Sequence, residues 1–135
     1  MAVVTTLARI VLGLLFIFAG ALPFFITSPP PQPGLAGAFN DLFFRSHWVW
    51  FVAVAQLTLG VLLLANRFVP LALVILAGFL YNSFAFHITI AQSGLPAPAI
   101  VLVLALLVAR PYRALFSALF AAESTAPEPL PRSHA

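Results

Sequence analysis

The stretch "WVWFVAVAQLTLGVLLLANRFVPLALVILAGFLYNSFAFHITIA", residues 48–91, decides the fold class. It carries one formally charged side chain, Arg67, within the short polar turn "NRF". A helix needs roughly 20 apolar residues to cross about 30 Å of hydrocarbon, and each side of the turn supplies a run of about that length. The pattern therefore predicts two membrane-spanning helices, at about 48–65 and 69–91, joined as an antiparallel hairpin.

The composition of the whole chain agrees with this prediction. Of the 135 residues, 63% are hydrophobic and 7% are charged, and the mean hydropathy is +1.12. Soluble domains average about 45–50% apolar and about 25% charged residues. The chain is therefore predicted to be an integral membrane protein. It contains no cysteine, which excludes disulfides, thiolate metal sites and cysteine redox chemistry.

Two further apolar runs predict spans at about 6–26 and 98–116. In the fourth span Arg110 follows closely after Pro98, so either the span is short or Arg110 extends its side chain to the interface. Residues 1–122 are predicted to form a single membrane domain. The polar, proline-rich segment 123–135 is predicted to be a disordered cytoplasmic tail.

The loop between the first two spans combines two kinds of sequence. The segment "TSPPPQPG" must be extended, because proline does not fit a helix interior. In the following "LAGAFNDLFFRSHW", apolar residues recur at helical spacing, and Asp41 and Arg45 form an i,i+4 pair. We therefore predict an all-α four-transmembrane-helix bundle with a short interfacial helix in its first outer loop.

The arginines predict the orientation in the membrane. Four spans place both termini and the turn at 66–68 on one side, which carries five arginines: Arg9, Arg67, Arg110, Arg113 and Arg132. The other side carries Arg45 alone. Because positive residues are retained in the cytoplasm, both termini are predicted to be cytoplasmic. The segment at 19–21 resembles a signal-peptide cleavage site, but the apolar run continues to Ile26, which favours an uncleaved span.

Small and amide residues predict how the hairpin packs. Folding it about residue 69 places three pairs opposite each other: Gly60 with Gly78, Gln56 with Asn82, and Ala53 with Ala85. In lipid, small residues are selected where helix backbones touch, and buried amides need hydrogen-bond partners. The pattern predicts that Gln56 and Asn82 bond to each other across the hairpin.

His87 lies on the opposite face of its helix from Asn82 and shares that face with Ser83. One interpretation is an interfacial histidine bonded to Ser83 or to a loop carbonyl. The other is a contact with a quinone or a proton, since histidine titrates near neutral pH. A metal site is not expected, because His47 and His87 have no carboxylate nearby other than Asp41.

Arg9, about one turn into the first span, also has two interpretations. It is either a topology anchor that reaches the interface or an inward arginine that holds an anionic or quinone headgroup. The chain shows no nucleophile–base constellation, phosphate loop, paired carboxylates or haem-binding histidine pair. An enzyme that works alone is therefore not expected.

Several motifs resemble the DoxX family of small bacterial membrane proteins. The opening "RIVLGLLFIFAG" (residues 9–20) resembles that family's first helix. Residues 55–96, with a hairpin around "RFVPLAL", an N-x4-H helix and a closing "GLP", resemble its second and third helices, and "YRALF" fits near the end. The resemblance covers most of residues 7–120.

This resemblance implies a four-helix protein of the bacterial inner membrane, linked to quinone-coupled or oxidative-stress redox systems. It places Arg9, Gln56, Asn82 and His87 on the family's recurrent polar positions. Members commonly have a glutamate where this chain has Gln56, and a lysine where it has Pro23. This departure favours a neutral amide pair over a buried charge system.

Three functions remain open at this level. The first is a non-catalytic accessory subunit of a membrane redox system, with a quinone as ligand near Arg9, Ser83 or His87 and a membrane or peripheral redox protein as partner. The second is a structural membrane adaptor without a ligand, and the third is a small-molecule permease. Few polar residues in the spans could line a transport path, which disfavours the permease. The lipid bilayer is an expected partner, an oligomer remains open, and nucleic acid is not expected because the few arginines suit topology signals better.

Overall fold

The computed structural model describes residues 2–28 and 30–120, and within those ranges the chain is helical, with no strand. The helices are α1 (Ala2–Phe25), α2 (Gly34–Arg45), α3 (Trp48–Leu64), α4 (Val69–Thr89), α5 (Pro96–Ala109) and α6 (Arg113–Ser117). Short 3₁₀ turns occupy Gln92–Gly94, Arg110–Tyr112 and Ala118–Phe120. The predicted all-α fold class is confirmed. The tail predicted at 123–135 lies outside the described residues.

Within residues 2–28 and 30–120, three helical segments are long and apolar enough to cross a membrane: α1, α4, and the run Gln92–Phe120. α2 and α3 would together supply a fourth, although they meet at an angle of 85°. α3 alone has 17 residues, which corresponds to a length of about 25 Å at 1.5 Å per residue. The chain is therefore a multi-pass membrane protein with three to four spans.

The helix boundaries have local causes. His47, between α2 and α3, is in the left-handed region with φ of 64°, at the point where the two helices meet at 85°. The turn from α3 to α4 uses the same conformation twice, at Asn66 and Phe68, both with φ of 54°. α5 begins with Pro96, whose fixed φ and missing N–H suit the first turn of a helix.

The core forms where α1, α3, α4 and α5 meet, and α1 and α3 make the most extensive contact. Its most deeply buried large side chains are aliphatic: Leu12, Leu59, Leu63, Val69, Leu76 and Val108. α1 and α3 run antiparallel, because the segment between them brings the chain back alongside α1. Two pairs of small residues bring their backbones close, Gly13 with Gly60 and Gly20 with Ala53.

α3 and α4 touch, but the predicted contacts of Gly60 with Gly78 and of Gln56 with Asn82 are not formed. Gly60 faces α1, because a methyl group placed on it would lie 2.7 Å from Ile17 and 2.8 Å from the carbonyl oxygen of Gly13. Gly78 has open space around it. The amide of Asn82 donates to the Gly78 carbonyl of its own helix, at 2.9 Å, and does not bond to Gln56.

The physical reason is that α1 occupies the small-residue face of α3. Gly60 and Ala53 do lie at a contact between two helices, where small residues are expected in a membrane protein. Their partner is α1, while the predicted partner face of α4, which comprises Gly78, Asn82 and Ala85, is exposed on the outside of the bundle.

Candidate functional site

A pocket of about 380 Å³ lies between α1, α3, α4 and α5 and is open on one side, where the exposed side chains of Phe18 and Ile100 line it; we call it the central cavity. Apolar side chains make up most of its wall, among them Phe16, Leu76, Phe79, Leu80, Pro98 and Val101. Two hydrogen-bonding side chains also line it, Gln56 from α3 and Ser83 from α4. A mostly apolar cavity with a few polar groups is the usual form of a small-molecule site.

Gln56 and Ser83 are both half-buried in this cavity. Neither makes a side-chain hydrogen bond to another residue that the structure describes. Nearby polar side chains on the same helices, by contrast, bond to their own backbone: Thr58 to the Val54 carbonyl and Asn82 to that of Gly78. Gln56 and Ser83 can therefore donate hydrogen bonds to a molecule in the cavity.

A second apolar cavity, of about 420 Å³, adjoins the central cavity on the side of α2. Ala19 and Gln56 line both cavities. Phe43 and Phe44 of α2 line this second cavity, which we call the outer cavity. Gln56 is thus the hydrogen-bonding side chain that the two linings share.

His87 lies outside the central cavity, although Ser83 is four residues before it. Its Nδ1 is 3.0 Å from the carbonyl oxygen of Ala91, in the loop that follows α4. Gly94 packs directly on the imidazole, so that a methyl group there would overlap the ring. The structure therefore agrees with the interpretation that His87 bonds to a loop carbonyl, and it separates His87 from Ser83 and Gln56.

Arg9 lies at the other end of the bundle. Its Nη1 donates to the carbonyl oxygen of Leu63 and, at 3.2 Å, to that of Leu64. These two carbonyls belong to the C-terminal turn of α3, and that of Leu63 also accepts from the backbone N–H of Asn66, at 3.2 Å. Arg9 thus ties the start of α1 to the end of α3, and the three predicted ligand contacts Arg9, Ser83 and His87 do not form one site.

The same end holds a cleft of about 820 Å³, which we call the arginine cleft. Arg9, Arg110 and Arg113 line it, together with Asn66 and Tyr112. The sequence placed Arg9, Arg110 and Arg113 on the same side of the membrane but did not predict that they line one cleft. The available signal was that Arg9 lies at the start of the first predicted span and the other two arginines at the end of the fourth. An even number of spans places these two ends on the same side of the membrane.

Comparison with known proteins identifies one family. The family model described as DoxX matches residues 4–88, which run from α1 almost to the end of α4. No curated protein and no solved structure matches the chain. The match includes Arg9, Gln56, Ser83 and His87, but it ends before α5, which supplies one wall of the central cavity.

Proposed function

This chain belongs to the DoxX family, and from that premise we propose that it is a non-catalytic accessory subunit of a membrane redox system. In this proposal it holds a quinone in the central cavity and presents it to a partner protein that carries out the electron transfer. The protein would lie in the bacterial inner membrane with both termini in the cytoplasm.

The observation that carries the proposal is the pairing of Gln56 and Ser83 in an otherwise apolar cavity. A quinone is a flat ring with two carbonyl acceptors and an apolar tail. The amide N–H of Gln56 and the hydroxyl of Ser83 are donors suited to those carbonyls. The adjoining outer cavity offers apolar walls for the part of the molecule that extends beyond Gln56.

The same two residues explain why the role would be binding and not catalysis. Neither an amide nor an aliphatic hydroxyl ionises near neutral pH, whereas quinone reduction consumes two protons. His87 contacts the loop at Ala91 and does not line the central cavity. The chain's own residues would therefore orient the quinone and exclude water from it.

Purification in mild detergent, followed by mass spectrometry of the extracted lipids, tests the proposal. We expect quinone at a stoichiometric level with the natural sequence, and a strong loss with Gln56→Leu combined with Ser83→Ala. Asn82→Leu is the matched control, because Asn82 neighbours Ser83 but lies outside the cavity. Quinone absent from the natural protein, or retained in full by the double variant, would refute the proposal.

One observation favours the adaptor as a second candidate. Gly78, Asn82 and Ala85 form an exposed face of α4, and small residues with an amide are typical of helix contacts within membranes. A constant protein partner that co-purifies with the natural chain and is lost with Gly78→Leu would support this role. Co-purification unchanged by Gly78→Leu would count against that face as the docking surface.

A further inference from the structure

The arginine cleft concentrates positive charge. Arg9, Arg110 and Arg113 line it, and Thr5, Thr6 and Asn66 add hydrogen-bonding side chains. Asp41 is the one acidic residue within 2–120. It pairs with Arg45 on α2, at 3.3 Å, near the opposite end of the bundle. No carboxylate among the described residues therefore neutralises the cleft, and it should attract an anion.

An apolar groove of about 680 Å³ continues from this cleft along α4 and α5. Its walls include Leu73, Ala77 and Leu106. Arg110 and Arg113 line both the cleft and the groove, so the two spaces share an edge. The combined surface is cationic at one end and almost wholly apolar at the other.

We propose that this combined surface binds an anionic phospholipid, with the phosphate in the arginine cleft and an acyl chain in the groove. Guanidinium groups bind phosphate through paired, charge-assisted hydrogen bonds. Basic pockets between membrane helices are known to take lipid headgroups. Free inorganic phosphate has the same headgroup chemistry but would leave the groove unused, so the groove favours the lipid.

The proposal is independent of the quinone proposal, because Gln56 and Ser83 take no part in it. In this proposal Arg9 contacts both the backbone of α3 and the phosphate in the cleft. One nitrogen, Nη1, is committed to the carbonyls of Leu63 and Leu64. The other nitrogens of the guanidinium can face the cleft, since Arg9 lines it.

The first experiment uses the full-length chain in nanodiscs of phosphatidylcholine with a minor fraction of phosphatidylglycerol. Native mass spectrometry then counts the phosphatidylglycerol retained on the protein. We expect enrichment over the bulk lipid, and roughly a tenfold loss of affinity when Arg110→Gln and Arg113→Gln are combined, as for the loss of charge-assisted bonds. Arg45→Gln, at the other end, should leave retention unchanged. Equal losses in both variants would overturn the proposal, because they would indicate unspecific attraction to positive charge.

The second experiment separates the lipid from free phosphate and does not depend on the arginine variants folding. Ala77→Phe places a large ring in the groove at an exposed position and leaves the cleft intact. We expect it to reduce phosphatidylglycerol retention severalfold. Titration of the delipidated protein with inorganic phosphate should show weak binding that Ala77→Phe does not change. Full retention of the lipid by Ala77→Phe would overturn the assignment, and saturable phosphate binding with no lipid enrichment would identify free phosphate as the ligand instead.

Discussion

Gly13 and Gly60 face each other across the contact between α1 and α3. A methyl group on Gly60 would lie 2.8 Å from the Gly13 carbonyl oxygen, and one on Gly13 would lie 3.3 Å from the Gly60 carbonyl oxygen. The two backbones are therefore in direct contact. Because this contact lies in the bundle's most extensive interface, the two glycines fix the distance between its two best-packed helices.

We expect Gly60→Ala to destabilise the protein by about 1–3 kcal/mol, the usual cost of overpacking a close contact. Gly78→Ala is the matched control, because it makes the same chemical change in a helix but meets open space. It should leave stability unchanged or raise it by about 0.5–1 kcal/mol, since alanine favours helix over glycine. Unfolding in mixed micelles of increasing denaturing detergent measures both. If Gly78→Ala destabilised the protein more than Gly60→Ala did, the close helix contact would lie at Gly78 and not at Gly60.

The sequence was sufficient to predict the helices but not their partners. Hydropathy locates spans because a bilayer requires a run of apolar residues of fixed length. Pairing is less constrained, because small residues occur on α1, α3 and α4 alike. The α1–α3 pairs, Gly13 with Gly60 and Gly20 with Ala53, are as regular as the pairing we predicted for the hairpin: the two residue numbers in each pair have the same sum, 73.

The central cavity was beyond sequence analysis for a related reason. Gln56 and Ser83 lie on different helices, and their common surroundings depend on how α1 and α5 close around them. No spacing rule connects them. For His87 the sequence left Ser83, a loop carbonyl and a quinone or proton contact open, and the bond in the structure is to the carbonyl of Ala91, which is close in sequence. Local contacts can be predicted from the chain, and contacts between distant helices require the packing to be known.

Arg9 should contribute to stability through the end of α3. We expect Arg9→Leu to destabilise the fold by about 1.5–3 kcal/mol, the typical worth of hydrogen bonds to a charged group. The cause is the loss of its bonds to the Leu63 and Leu64 carbonyls. Arg67→Leu is the control, because Arg67 lies in the adjacent turn and is exposed. Thermal unfolding in detergent provides the measurement. Equal losses of stability in the two variants would indicate that Arg9 acts through its positive charge and not through these hydrogen bonds.

His87 and Gly94 should be energetically coupled. Gly94→Ala places a methyl group against the imidazole, so the ring must move and its bond to the Ala91 carbonyl should break. We expect the single variants His87→Ala and Gly94→Ala each to destabilise the loop after α4. The double variant should be less destabilised than the sum of the two, by about 0.5–3 kcal/mol, as is usual for residues in contact. Hydrogen exchange at 90–95 would report the loop directly, and strict additivity would contradict the contact.

The orientation in the membrane can be tested because the chain lacks cysteine. A single cysteine at Ser46, between α2 and α3, should react with a membrane-impermeant maleimide in intact spheroplasts. One at Ala65, after α3, should react only after the membrane is opened. Both positions are exposed, so access to solvent from one side decides the outcome. This result is expected because Arg67, Arg110 and Arg113 lie at the Ala65 end, and arginine-rich ends stay in the cytoplasm. Labelling of Ala65→Cys alone in intact spheroplasts would invert the proposed topology and place the arginine cleft on the outer side of the membrane.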